Sequence, residues 1–255
     1  MNNIHKDAKI GANSQIGSYV TIESDVEIGD DCVIGPNAVI ISGTRIGNGC
    51  KIHSGAVVGG DPQDLKYAGE ETFLEIGNNV TIREFCTINR GTTDRYKTLV
   101  GNNCLLMAYT HIAHDCILGD NVILSNTVNV AGHVKIDDYA ILGGGTLVHQ
   151  FASIGKHVMI GGGSLVRKDV PPYVRAAREP LSYIGVNSVG LQRRGFDKEI
   201  IGDIQDIYRQ IYQKSSNIAN GVTDVTELFA ETSHRGEILD FISQSERGIM
   251  KGHNS

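Results

Sequence analysis

Four histidines and an acid stand out as side chains able to do chemistry: His111, His114, His133 and His149, with Asp115 directly after the second. An imidazole has an ordinary pKa of about 6.5, so near neutral pH it can take a proton from a hydroxyl and return it. An adjacent carboxylate can orient that imidazole or stabilise its charged form. Neighbouring residues on a strand point to opposite faces, so His114 and Asp115 can cooperate only where the backbone turns a corner. Neutral imidazoles also make good zinc ligands, which leaves a second reading of the cluster open. The other histidines, His5, His53, His157, His234 and His253, stand alone and read as solvated. The five cysteines have no metal-type spacing.

Whether the four histidines meet depends on the elements that carry them, and those follow from a period. Aliphatic residues recur every six positions from Ile4 to Val58, resume at Ile76, Ile82 and Ile88, and run again from Val100 to Val166, 25 in one register. The next residue is glycine in 12 of these 25 hexads, and the residue four further on is small or slim, as in Ala8, Ser14, Thr44 and Ala140. A period of six fits neither a helix face nor a hairpin meander. It predicts a parallel β-helix in which each hexad is a short strand plus a corner and three hexads close a triangular coil. The aliphatic residue fills the interior, the small one fits where the triangle narrows, and glycine eases the corner. Cys32, Cys50, Cys86, Cys104 and Cys116 all occupy the small slot and are expected to stack inside as inert hydrophobes.

Counting in 18s assigns faces. The hexads opening at 58, 76, 112, 130, 148 and 166 fall on one side, and two interruptions of the repeat, loops 59–75 and 92–99, project from that side. His114, His133 and His149 lie in three successive coils of the same face, with His111 at the corner before them. At ~4.8 Å per coil they span roughly 10 Å. Gly132 is 18 residues past His114 and His133 is 18 past Asp115, so a backbone without a side chain lies over His114 and a carboxylate lies under His133. Long loops on a scaffold that needs none point to function.

The coil is expected over residues 1–173, ending at Pro171-Pro172-Tyr173, with an irregular connector over 174–190. Apolar spacing of three and four (Ile200, Ile204, Ile207, Ile211; Val225, Leu228, Phe229; Ile238, Leu239, Ile242) predicts a small α-helical domain over 191–255. The chain of 255 residues carries 31 glycines and a net charge of −6, which speaks against a general nucleic-acid binder. Without a signal-type or membrane-length apolar run, the sequence reads as soluble and cytoplasmic.

Local motifs then narrow the family. QDLKYAGE (63–70), INRGT (88–92), THIAHDC (110–116), VAGH (130–133), VHQF (148–151), DVPPYV (169–174) and GLQRRGF (190–196) span almost the whole chain. It resembles the UDP-N-acetylglucosamine 3-O-acyltransferases of lipid A biosynthesis, within the hexapeptide-repeat superfamily. The resemblance implies a left-handed coil, although general crossover rules favour the other hand. It implies transfer of an (R)-3-hydroxyacyl group from acyl carrier protein to the 3-hydroxyl of UDP-N-acetylglucosamine, with no cofactor and no metal, in a homotrimer with its sites between subunits. His114 matches the base, Asp115 its partner, and Gly132 the backbone donor to the oxyanion. Asp64, Lys66, His111, His133 and His149 match sugar and diphosphate contacts. Gln150, Asn187 and Arg193 match nucleotide contacts, and Gly162, in Gly161-Gly162-Gly163, matches the position that limits acyl length.

Lys66 is a point charge suited to a phosphate, and Arg193 can grip one through paired hydrogen bonds. Asn89 departs from the family pattern, where a histidine is expected, and Val189 stands where an acid is frequent. Arg167, Lys168, Arg175 and Arg178 are candidates for docking an acidic carrier. Two other classes remain open: a sibling acyltransferase, and a scaffold or zinc-binding coil akin to trimeric carbonic anhydrases. The sibling of the same pathway usually has a separate N-terminal domain, whereas here hexads begin at Ile4, and the carbonic anhydrase histidines are spaced differently.

Overall fold

The computed structural model describes residues 1–252, so His253 lies outside it. The six-residue period becomes a left-handed parallel β-helix with three sheets. The first sheet has nine strands, from Asn3–Ile4 to Leu165–Val166, and the second has eight, from Lys9–Ile10 to Ser153–Ile154. The third has 11 and includes three strands from beyond the repeat. Of the 25 periodic aliphatics, 22 are buried, and the exceptions, Ile4, Ile10 and Ile16, belong to the open first coil. This interior column is the main apolar store of the coil. A buried leucine or isoleucine contributes about 1.5–3 kcal/mol each.

The corners differ from expectation in an instructive way. The residue in the left-handed backbone region is the third after the aliphatic one, and it is mostly not glycine, as at Asn13, Asp31, Asn103, Asp115 and His133. The glycine directly after the aliphatic residue answers a different need, the close approach of successive coils. A Cβ on Gly143 would stand 2.5 Å from the backbone nitrogen of Gly162. At the second-to-third corner a ladder of acids and amides also fixes the spacing. Asp30, Asn48, Asn78, Asn102, Asp120 and Asp138 each accept the backbone N–H of the equivalent residue one coil earlier, at 2.6–2.8 Å. Backbone groups that the turning chain would leave unpaired are satisfied there.

A count in 18s assigns Ile76 to the face of Val58, and the register corrects this. Val58 pairs with Ile88, whereas Ile76 pairs with Ile46 in the second sheet. Register partners stand 18 residues apart at Ile40 and Val58, 30 apart at Val58 and Ile88, and 24 apart at Ile88 and Ile112. The two insertions together add one whole coil, so the count is back in phase from Ile112 onward. Both insertions leave at the corner between the first and second sheets. They are shorter than 59–75 and 92–99, because Val57–Gly60, Phe73–Ile76 and Lys97–Val100 are strands. Cys86 likewise sits at a different corner from Cys50 and Cys104.

Residues 174–190 are not irregular. Val174–Ala177 continues the third sheet, and Ser182–Val186 pairs with it antiparallel. Val174, Ala176, Tyr183 and Val186 are buried there, so these short strands bury apolar side chains while completing their backbone hydrogen bonds. Four helices follow: α1 (Ser188–Arg193), α2 (Lys198–Arg209, prolonged by a wide turn Gln210–Lys214), α3 (Ile218–Leu228) and α4 (Ser233–Ser243). Ile204, Ile207, Ile211, Val225 and Ile238 are buried as their spacing predicts, but Leu228 is exposed. Tyr208, fully buried, donates to the Pro172 carbonyl at 2.6 Å and ties α2 to the end of the coil. No helix of the described residues is long and apolar enough to cross a membrane.

If close approach of coils is what demands glycine at 143, Gly143→Ala should destabilise the protein by about 1–3 kcal/mol. Gly202, inside α2 with nothing within 4 Å of an added Cβ, should behave oppositely. Gly202→Ala is expected to stabilise by about 0.5–1 kcal/mol. Urea denaturation of both variants reads the two signs.

Candidate active site

The first-to-second corner gathers the cluster. His114 follows Ile112 by two residues, and Asp115 occupies the left-handed position at φ 60°. That backbone conformation breaks the alternation of a strand and turns both side chains to one side. The His114 Nδ1 lies 2.8 Å from the Asp115 Oδ2. A carboxylate only accepts, so Nδ1 carries the proton and the Nε2 lone pair is left free. Asp115 is wholly buried. Burial opposes its ionisation, but hydrogen bonds from the Thr92 hydroxyl, His114 and the Thr92 N–H, with the charge of His133, hold its carboxyl below the usual range.

One coil on, Gly132 lies over the imidazole, where a Cβ would come within 2.6 Å of the His114 Cε1. The Gly132 N–H makes no hydrogen bond among the described residues. Around His114 this corner lacks the acid and amide ladder of the second-to-third corner, and the N–H groups of His114, Gly132 and Gln150 have no partner among the described residues. His133 meets His114 edge to face at 4.9 Å and stacks on Phe151 at 4.4 Å. Its Nδ1 is 3.1 Å from the Asp94 Oδ2, and its Nε2 is 4.0 Å from the Asp115 Oδ2.

His111 lies on the strand His111–Ile112 and not at the corner before it. Its Nδ1 bonds the Thr87 hydroxyl at 2.7 Å, and burial, assisted by the charge of His114, pushes its pKa down. His149 and Gln150 are exposed two coils further along, with the His149 Nδ1 3.0 Å from the Gln150 carbonyl. The first insertion carries Asp64 and Lys66, which share a cavity of about 460 Å³ with Thr92, Asp94, His133 and Phe151. Asn89 donates to the Asp61 carbonyl at 2.8 Å, and Arg90 bonds Asp61 and Tyr67, so this stretch tethers the loop.

His114, Asp115 and His133 offer three donor atoms within 4.8 Å of one another, a spacing that a cation could bridge. The Asp115 carboxylate, however, already accepts from Thr92 twice, from Arg95 N–H and from His114. A carboxylate so fully engaged fits an acid–base pair better than a metal ligand. The cysteines are free and buried, and burial pushes Cys50, Cys86 and Cys104 up to about 11 and Cys116 to about 12. Such thiols are poor nucleophiles near neutral pH.

The structure does not bring the other sequence candidates into this cluster. Gly162 follows Ile160 in the third sheet and lies at the third-to-first corner. Asn187 is buried as the N-cap of α1, accepting from Gly190 N–H and donating to the His157 carbonyl at 2.9 Å. Arg193 is exposed, whereas Arg194 donates to the Tyr139 carbonyl at 3.1 Å and lies over the Tyr139 ring. Arg167, Lys168 and Arg178 line a cavity of about 630 Å³ floored by Leu165, Leu181 and Met250, but Arg175 is elsewhere, on the outer face of the third sheet.

Two histidines are not solvated as their isolation suggested. His234 is buried on α4. His157 is sandwiched between Tyr139 and Tyr173 with Phe196 at its edge, and burial, with the charges of Arg194 and Lys156, lowers its pKa to about 4. No single-residue signal reveals this, because the stack forms only when the tail docks. The unfolded chain binds a proton at His157 below about pH 6.5 that the folded protein refuses until about pH 4. Stability should therefore rise with pH across that window, and His157→Phe should flatten part of the rise in urea midpoints. An unchanged slope would locate the proton uptake at another group.

Known proteins share the repeat. A family described as UDP-N-acetylglucosamine O-acyltransferase, domain 2, matches residues 169–250, and bacterial transferase hexapeptide repeats match 7–42, 25–60 and 97–132. An acyl-[acyl-carrier-protein]–UDP-N-acetylglucosamine O-acyltransferase of Sulfurihydrogenibium sp. is 58% identical over 247 residues, 96% of this chain and 91% of that protein. Its counterpart in Aquifex aeolicus is 57% identical over 200 residues, 78% of this chain and 77% of its own. The crystal structure of a UDP-N-acetylglucosamine acyltransferase from Bacteroides fragilis 9343 superposes with a TM-score of 0.96 at 48% identity, covering 98% of each chain. Identity of this extent, over coil and helical tail together, makes the chain a member of the UDP-N-acetylglucosamine O-acyltransferase family of hexapeptide-repeat transferases.

Proposed function

We propose that this enzyme transfers an (R)-3-hydroxyacyl chain from acyl carrier protein to the 3-hydroxyl of UDP-N-acetylglucosamine, the first step of lipid A biosynthesis. The observation that carries the mechanism is the buried His114–Asp115 pair with its free Nε2 beside the unused N–H of Gly132. The sugar hydroxyl gives its proton to the His114 Nε2 as its oxygen attacks the thioester carbonyl. The tetrahedral oxyanion accepts a hydrogen bond from the Gly132 N–H, a donor that needs no reorganisation. Collapse breaks the carbon–sulfur bond, and the departing thiolate recovers the proton from His114. The thioester is already activated, so the chemistry asks for no cofactor.

Around this centre, Asp64 and His133 suit the sugar, and Lys66, with His111 and His149, suits the diphosphate. Gln150, Arg193 and the segment capped by Asn187 suit the nucleotide, with Arg194 better anchored than its neighbour. The cavity rimmed by Arg167, Lys168 and Arg178 supports docking of an acidic carrier. A homotrimer is favoured by the separation of His114 and Gly162, which sit at different corners of the prism. A groove running from one of these corners to the other is completed by contact with a second copy. The third sheet's half-buried outward row Leu105, Ile123, Ile141 and Met159 offers apolar surface for such contact. Use of a carrier-protein donor supports a cytoplasmic location.

With UDP-N-acetylglucosamine and 3-hydroxyacyl carrier protein, His114→Ala should lose about 10²–10⁴-fold in turnover with unchanged melting. A variant keeping half its activity would remove His114 as the base. Gly162→Met should shift preference toward donors shorter by a few carbons, since each buried methylene contributes about 0.8 kcal/mol, roughly fourfold per carbon. A competition assay with mixed donors reads this, and an unchanged profile would place the length limit elsewhere.

A further inference from the structure

The acid of the pair is held from outside the coil. Asp115 is wholly buried, and a buried carboxylate stays charged only if donors surround it. Three of its four hydrogen bonds come from the second insertion. Thr92 N–H donates to Oδ1 at 2.9 Å, Arg95 N–H to the same oxygen at 3.2 Å, and the Thr92 hydroxyl to Oδ2 at 2.7 Å. The fourth is His114 Nδ1, on Oδ2 at 2.8 Å. Any residue at 92 and 95 could supply the two backbone donors, but the hydroxyl depends on the side chain. That hydroxyl also accepts the Asp94 N–H at 3.3 Å, which turns its proton toward the carboxylate.

We propose that Thr92 is a positioning residue of the transfer reaction: its hydroxyl fixes the Asp115 carboxylate, and through it the tautomer and orientation of His114. This rests on the reading of His114 as the base. The Thr92 hydroxyl and the imidazole converge on one oxygen, so each restricts where that oxygen can go. The competitor is close at hand, because the His133 Nε2 stands 4.0 Å from the same Oδ2. Without the hydroxyl, the carboxylate is free to rotate toward His133, and His114 loses the acceptor that keeps its proton on Nδ1. The titratable groups facing Asp115 are His114, His133 and the Cys116 thiol, with Asp94 and Arg95 one contact further out, Asp94 paired with both His133 and Arg95.

Thr92→Val removes the hydroxyl at nearly constant shape, and Thr92→Ser keeps it. Thr92→Val is expected to lower kcat about tenfold or more, the usual weight of a hydrogen bond to a charged group, with KM for both substrates within about twofold. Thr92→Ser should retain wild-type kcat and pH profile. Nitrogen-15 spectra of the free enzyme should show His114 protonated on Nδ1 in the wild type and mixed tautomers in Thr92→Val. The proposal is overturned by a Thr92→Val enzyme with wild-type kcat and an unmixed tautomer, or by a Thr92→Ser enzyme as slow as Thr92→Val. His114→Ala assayed alongside separates the two failures. Activity in that variant defeats the base itself, whereas a dead His114→Ala beside an unimpaired Thr92→Val defeats only the positioning role.

Discussion

Axial stacking of one coil on the next governs this protein. Parallel pairing at ~4.8 Å sets each residue directly against its counterpart in the following coil. Side chains at a corner therefore form columns, and what stands in a column is decided by what its neighbours leave room for. The imidazole of His114 occupies the space that a side chain at 132 would claim. The same spacing leaves the Gly132 N–H beside it, and it sets His133 over Asp115. At the second-to-third corner acids and amides take up the backbone donors, whereas the corner that holds His114 leaves the Gly132 N–H beside the imidazole without a partner among the described residues.

Periodic features were legible because a solenoid repeats its local physics. Ile22 through Val166 report burial directly, and the vertical neighbours of His114 and Asp115 follow from arithmetic. The arithmetic fails where the chain leaves the coil. The insertion before Ile76 carries no marker of where its frame resumes, and only hydrogen-bond register shows that Ile76 has moved to the second sheet. Corner glycines misled for a related reason. Their abundance suggests conformational need, but the left-handed residue is two positions later, and the need is for space between coils. His157 and the strand Ser182–Val186 could not be read at all, since both depend on where the tail docks.

The candidate site divides along the same line. The pair His114–Asp115, with Gly132, belongs to the coil and is visible in sequence. Thr92, Asp94 and Arg90 belong to insertions, and their partners lie 20 or more residues away along paths that no period describes. Conserving a repeat is thus compatible with assigning the finer control of geometry to segments outside it. The coil supplies rigid position, and the insertions supply the donors that decide charge and tautomer.

This division also explains why the insertions lie where they do. A regular hexad has room on its outer face only for side chains of its own strand, and these cannot reach around a buried carboxylate. Surrounding Asp115 with four donors requires backbone that crosses the corner from outside, which the segment from Thr92 to Arg95 provides. The first insertion is in turn held by Asn89 and Arg90, the residues just before that segment. One short stretch, 89–95, therefore anchors the loop bearing Asp64 and Lys66 and frames the acid of the His114–Asp115 pair. The loop that bears Asp64 and Lys66 and the buried carboxylate beside His114 thus share one support, held by different residues of it: Asn89 and Arg90 for the loop, Thr92 and Arg95 for the acid.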